Sequence, residues 1–119
     1  LRTGTNCGGG SNVLEVVDIS DLKYPQQVKV YPMQNPHGLT LAGDYLYLSE
    51  GDFGLKSFKI SQGNTIELNL VQQLEDIKSR DLIAGPKSLI VMSAESICQF
   101  DYSDKANLKQ LSCITIQNK

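Results

Sequence analysis

Surface chemistry needs ionisable or nucleophilic side chains brought together, and this chain carries few. Its only histidine is His37, followed by Gly38, and Arg80-Asp81 holds the matching place in a second, similar stretch. One histidine is too few for a multi-histidine metal site. A Ser-His-Asp triad would have to use His37 without an evident partner, and no G-x-S-x-G elbow is present. His37 therefore reads either as a turn-capping, solvent-facing residue or as part of a docking face. Arg80-Asp81 reads either as a local ion pair or as part of the same face. Asp44, Glu50 and Asp52 gather around two hairpins, and oxygen ligands of this kind suit hard cations such as Ca²⁺. Asp44, however, belongs to the hairpin at the opposite end of the intervening strand, so at most Glu50 and Asp52 converge. Two carboxylates are too few, and turn formation is the plainer role. No catalytic residue, metal site or cofactor follows from these residues.

The stretch TGTNCGGGS, Thr3 to Ser11, is rich in glycine. No Lys follows as a phosphate-binding loop requires, and no helix follows as a dinucleotide fingerprint requires, so it reads as a hairpin loop. Cys7, Cys98 and Cys113 are odd in number and lack C-x-x-C spacing, which signals neither zinc nor a disulfide framework. The expectation is two or three buried or half-buried free thiols. Cys98 and Cys113 would nonetheless face each other across a hairpin turning at Ser103 to Asn107 if its register is symmetric, the arrangement a cross-strand bridge requires. Tyr24, Tyr31, Tyr45, Tyr47 and Tyr102 supply packing area before ligand stacking.

The elements that must hold these residues are strands. With 119 residues, 40% apolar and 20% charged, the chain belongs to the globular class. A formal charge of −2, with Lys and Arg scattered, offers no electropositive field for phosphates and argues against a nucleic-acid partner. The longest uninterrupted apolar stretch, Leu89 to Met92, is far short of the roughly 20 residues that cross a bilayer. Leu1 opens the chain with neither a signal peptide nor a lipidation motif before the first strand-like segment, and the expectation is a fragment of a longer polypeptide.

Three strand endings recur: Val17-Asp18-Ile19-Ser20, Phe58-Lys59-Ile60-Ser61 and Phe100-Asp101-Tyr102-Ser103. Asp18 and Lys59 are 41 residues apart, Lys59 and Asp101 are 42. DLKYPQQVKVY from Asp21 aligns without a gap to DKANLKQLSCI from Asp104. HGLTLAGDYLYLS aligns with RDLIAGPKSLIVMS after one inserted residue, expected in a turn. One period holds four strand-like segments, His37 to Ala42, Tyr45 to Ser49, Gly54 to Ile60 and Ile66 to Leu74, broken by Gly and Asp at tight turns. QQLEDIKSRDL is too short and too poorly spaced for an amphipathic helix. YLYLS and SLIVMS are apolar on both faces, as expected of strands covered on each side. The fold class is all-β, a partial β-propeller of about two and a half four-stranded antiparallel blades: a partial blade over 1–35 and blades over 36–75 and 76–119. A β-sandwich is the alternative that needs no repeat.

Gly43-Asp44-Tyr45-Leu46-Tyr47-Leu48, Gly51-Asp52-Phe53-Gly54-Leu55 and Phe58-Lys59-Ile60-Ser61 together resemble LVIVD repeats. In these a G-(D/N)-Y strand, a G-D-x-G-L hairpin and a V/F-x-(V/I)-S ending succeed one another. The third unit departs from the pattern, with Ala94-Glu95-Ser96 at the hairpin and Asn107-Leu108 at the last turn. The resemblance implies an exported or surface-anchored bacterial propeller, hence an extracellular or cell-envelope location, and the C-terminal part of its parent.

The function expected is a non-enzymatic binding or scaffold module. A protein, glycan or small ligand would dock beside the channel, near His37, Arg80 and Asp81, with the rest of the ring needed for closure. The rival is a propeller enzyme whose active site comes mostly from other blades, and a third reading is a purely architectural envelope protein. Fold alone does not choose among them.

Overall fold

A computed structural model describes residues 12–62 and 66–116. The expected strand Leu1 to Thr5, the glycine-rich loop and Cys7 lie outside the described residues. Among those described there is no helix, and hence none long and apolar enough to cross a membrane. The described residues form ten strands in three antiparallel sheets. The first pairs β1 (Val13–Asp18) with β2 (Gln26–Pro32). The second is a meander of β3 (Gly38–Ala42), β4 (Tyr45–Ser49), β5 (Leu55–Gln62) and β6 (Ile66–Leu74). The third repeats that order with β7 (Asp81–Ala84), β8 (Ser88–Met92), β9 (Ser96–Asp101) and β10 (Lys109–Thr115). Among the described residues the three sheets do not close on themselves as a ring.

Local chemistry explains the breaks. In the β3–β4 loop the first central residue, Gly43, takes a positive φ, 60°, and the second, Asp44, does not, the backbone of a type II′ hairpin turn. Gly54, at φ 95°, ends the β4–β5 hairpin where a Cβ would lie 1.8 Å from the Leu74 carbonyl oxygen, so no other residue fits there. Before β2, the Ser20 and Lys23 amides donate to the carboxylates of Asp18 (2.8 Å) and Asp21 (3.1 Å). Eighty-three positions further on, the Ser103 and Ala106 amides donate to Asp101 (2.9 Å) and Asp104 (3.1 Å). These are Asx turns, a side chain standing in for the backbone acceptor. The Ser20 and Ser103 backbone amides, helped by the hydroxyls of the same residues, hold Asp18 and Asp101 below the ordinary carboxylate range.

The same irregularity recurs in each sheet. Pairing jumps by one residue between Val16 and Val17, between Ser57 and Phe58, and between Gln99 and Phe100. The partner strand carries the extra residue, Val28, Val71 and Leu111 respectively. Each is a β-bulge, which bends and twists the outer strand.

The sheets stack face to face, because β4 is apolar on both sides. Leu46 and Leu48 turn toward the first sheet, where they pack with Phe58 and Leu14. Tyr47 turns the other way and joins Leu55, Leu82, Leu89, Val91 and Phe100 in the core against the third sheet. Leu48, Tyr47 and Leu89 are fully buried. A fully buried Leu stabilises the fold by about 1.5–3 kcal/mol relative to an exposed one. Polar bridges tie the layers as well. The Tyr47 hydroxyl donates to the Lys105 carbonyl (3.0 Å), the Leu108 amide donates to Gln72 Oε1 (2.7 Å), and the Leu68 amide donates to the Tyr31 hydroxyl (3.0 Å).

Two expectations are corrected. Cys98 and Cys113 are not free thiols but a disulfide, with Cα atoms 4.1 Å apart. The bulge at Leu111 is what sets them opposite each other. On the turn side of it Phe100 faces Gln110, and beyond it Gln99 faces Ser112 and Cys98 faces Cys113. The inserted residue placed in the β7–β8 turn is also absent. Ala42 faces Tyr45 across one two-residue loop, and the Gly85 amide donates to the Ser88 carbonyl across the other. Met92, not Ser93, therefore occupies the position of Ser49, and the length difference lies in the next loop.

Candidate functional site

The site expected from the sequence lies where β3 and β7 begin, and these two strands are neighbours. His37 leads into β3 and its amide donates to the Ser49 carbonyl (2.9 Å); Arg80 leads into β7 and its amide donates to the Met92 carbonyl (2.7 Å). Ser49 joins these two strand starts. Its fully buried hydroxyl accepts from the Gly38 amide (3.0 Å) and donates to the Arg80 carbonyl (2.9 Å). The approach is close enough that a Cβ on Gly38 would lie 2.8 Å from Asp81 Oδ1. That carboxylate also accepts from the Leu82 amide (2.8 Å). His37, Arg80 and Asp81 are all exposed. The packing of the second sheet on the third, tied by Ser49, thus brings the starts of β3 and β7 side by side, with three exposed polar side chains above a buried serine.

Arg80 also reaches a second feature. With Gly51, Asp52, Lys78, Ser79, Ser93 and Glu95 it lines a cleft of about 150 Å³ between the β4–β5 hairpin, the segment before β7 and the β8–β9 hairpin. The floor is rigid. Gly51 and Ser79 exchange backbone hydrogen bonds, Gly51 N to Ser79 O (2.6 Å) and Ser79 N to Gly51 O (2.9 Å). The Ser79 hydroxyl is buried with no hydrogen-bond partner among the described residues. Carboxylates and cationic side chains both surround this cleft, so it favours no single charge.

Glu50 and Asp52 do not converge on a cation. Glu50 is fully buried, with one carboxylate oxygen accepting from the Gln34 amide (2.7 Å) and the other 2.8 Å from the Lys56 ammonium. This is a buried ion pair in which the backbone satisfies one carboxylate oxygen and Lys56 alone faces the other, while Asp52 is exposed in the hairpin beyond it. Among the described residues no three His, Cys, Asp or Glu side chains are grouped to hold a metal.

Sequence reasoning missed Ser49, Lys78, Ser79, Glu95 and the Glu50–Lys56 pair. One signal for the last was available. Lys56 stands in phase with Phe58 and Ile60, so an alternating strand must turn its ammonium toward the same covered face, and a charge there needs a partner.

A concavity of about 370 Å³ lies elsewhere. It is an apolar groove at the end of the first sheet, lined by Val16, Val17, Ile19, Val28 and Ile66 among others.

In comparison with known proteins, the chain matches no family model, no curated protein and no solved structure.

Proposed function

We propose that this chain is part of a β-propeller of the LVIVD type and serves as a non-enzymatic binding or scaffold module of the bacterial cell envelope. The observation that carries the reading is the stacking. Sheets of like order lie face to face with their first strands, β3 and β7, adjacent, and the first strands of propeller blades surround the channel. The bulges and Asx turns that recur from sheet to sheet support a repeated unit, beside the resemblance to LVIVD repeats. The Cys98–Cys113 bridge supports an oxidising compartment, as the exterior or envelope is.

On this reading the ligand, a protein, a glycan or a small molecule, contacts His37, Arg80 and Asp81 at the mouth of the channel. The test is binding of the chain to a glycan array and to envelope protein extracts, compared with a His37→Ala/Arg80→Ala variant. These side chains are exposed, so the variant keeps its fold, and at least a tenfold loss of binding is expected, about 1.4 kcal/mol. Binding unchanged by both substitutions would sink the site.

A further inference from the structure

The cleft beside Ser79 carries charges that nothing in the fold uses. It lies where the second sheet meets the third, and both sheets and the segment joining them supply its walls. Lys78 and Arg80 come from the segment entering β7, Asp52 from the β4–β5 hairpin and Glu95 from the β8–β9 hairpin. All four are exposed, and among the described residues none of these side chains makes an ion pair or a hydrogen bond.

The scaffold under these charges is fixed. The two-way backbone bridge between Gly51 and Ser79 ties the β4–β5 hairpin to the segment before β7 and holds that segment extended. Residues two apart on an extended chain leave by the same side, so Lys78 and Arg80 stand together. Asn35 and His37 press on Gly51, where a Cβ would lie 2.9 Å from Asn35 Nδ2 and 3.0 Å from His37 Nε2. At the β8–β9 hairpin the Ser93 hydroxyl accepts from the Glu95 amide (3.2 Å) and the Ser96 amide (3.0 Å). The lining also limits what fits. It holds no aromatic or large apolar side chain, and its volume of about 150 Å³ is below the roughly 300 Å³ that drug-sized ligands take, so the occupant is small and polar. Two carboxylates oppose a phosphate, and an ammonium and a guanidinium oppose a metal ion. A small solute bearing both charges satisfies both pairs.

We infer that this cleft binds a small zwitterion, an α-amino acid, with its carboxylate on Lys78 and Arg80 and its ammonium between Asp52 and Glu95. Charge-assisted hydrogen bonds of this kind, and the guanidinium fork above all, suit a carboxylate. The walls are held before a ligand arrives, so binding has only side chains left to order. The inference deepens the binding role proposed above and rests on it through Arg80, which the docking face and the cleft share.

Titration of the isotope-labelled chain with glycine, followed by the amide resonances of Gly51, Ser79 and Glu95, tests it, with acetate and methylammonium as the two halves of the ligand. Glycine is expected to shift these amides saturably, with a Kd of about 1 mM. Each half alone is expected to bind at least about tenfold more weakly. Lys78→Met and Glu95→Gln, at exposed positions, are each expected to weaken glycine binding about tenfold and to leave distant resonances unchanged. No saturable shift with glycine, acetate binding as tightly as glycine, or full affinity in both variants would overturn the zwitterion site. His37→Ala separates this site from the docking face. Glycine bound normally by a His37→Ala chain whose array binding is also unchanged would keep the cleft and remove the docking face. Array binding that needs His37, in a chain that glycine does not perturb, would do the reverse.

Discussion

The second and third sheets share strand order, strand lengths within a few residues and a bulge in the same place, yet they solve different packing problems. The second is covered on both faces and spends its alternation accordingly, with Leu46 and Leu48 to one side, Tyr47 and Leu55 to the other, all buried. The third is covered on one face. Leu89, Val91 and Phe100 fill the shared core, while Ile90 and Ile97 stand opposite, partly in water. A second contrast sits at one matched position. Lys56 in β5 and Cys98 in β9 lie on the same face of their sheets, and one ends in a buried ion pair with Glu50, the other in a disulfide with Cys113. The common backbone leaves open how the interior is completed, and what lies against each face decides it.

The ion pair offers the strongest way to break that comparison. Lys56→Met leaves the Glu50 carboxylate buried with only the Gln34 amide, and is expected to cost about 3–5 kcal/mol in urea unfolding. Lys56→Met/Glu50→Gln, which removes both charges, is expected to recover most of the loss. If the single substitution is neutral, Glu50 is not held as described. Close behind stand Leu55→Ala and Ile97→Ala, matched aliphatic positions on the outward faces of the two sheets. The first is expected to cost about 2–5 kcal/mol by leaving a cavity in the shared core, the second about 1 kcal/mol or less in the monomer. Equal costs would mean that the third sheet is covered as fully as the second. Reducing the disulfide, or replacing both cysteines by serine, is expected to cost about 3 kcal/mol, the value for a closed loop of about 15 residues.

How much of this is legible in the sequence follows from the range of the interactions. Tyr45 to Ser49 and Ile66 to Leu74 are strands with the expected bounds, because Gly43-Asp44 and the apolar alternation are local signals. That β4 is covered on both faces is equally legible in YLYLS. The same reasoning applied to SLIVMS holds for one face only, since coverage depends on a neighbour that the strand itself does not encode. The bulges are invisible in the sequence, being a property of pairing, and with them goes the reason that Cys98 meets Cys113. Aligning Ser49 with Ser93 by identity hides the true match to Met92, which backbone pairing alone defines. Position in the period is enough to place His37, Arg80 and Asp81 at the starts of matching strands. Ser49, which ties their strands together, carries no signal beyond a serine at a strand end, and Ser79 none at all.

Tyr47 extends the comparison to pH, because its position in the third sheet is taken by Ile90, which does not titrate. Burial between the sheets, with lesser contributions from Tyr102, Tyr45 and Asp104, pushes the Tyr47 phenol up to about 12. In the unfolded chain it titrates near the ordinary value of 10.0. Between those values the folded state keeps a proton that the unfolded state has lost. The contribution is therefore complete below about pH 10 and disappears as pH rises through about 12. Tyr47→Phe removes the titration along with the hydrogen bond to the Lys105 carbonyl. It is expected to cost about 1 kcal/mol at neutral pH and to flatten the loss of stability on the alkaline side relative to the unchanged chain. Urea midpoints at pH 8 to 11 measure both. An alkaline slope that persists undiminished in the Phe variant would assign it to other phenols and would mean that water reaches Tyr47, and so that the seam between the second and third sheets is open.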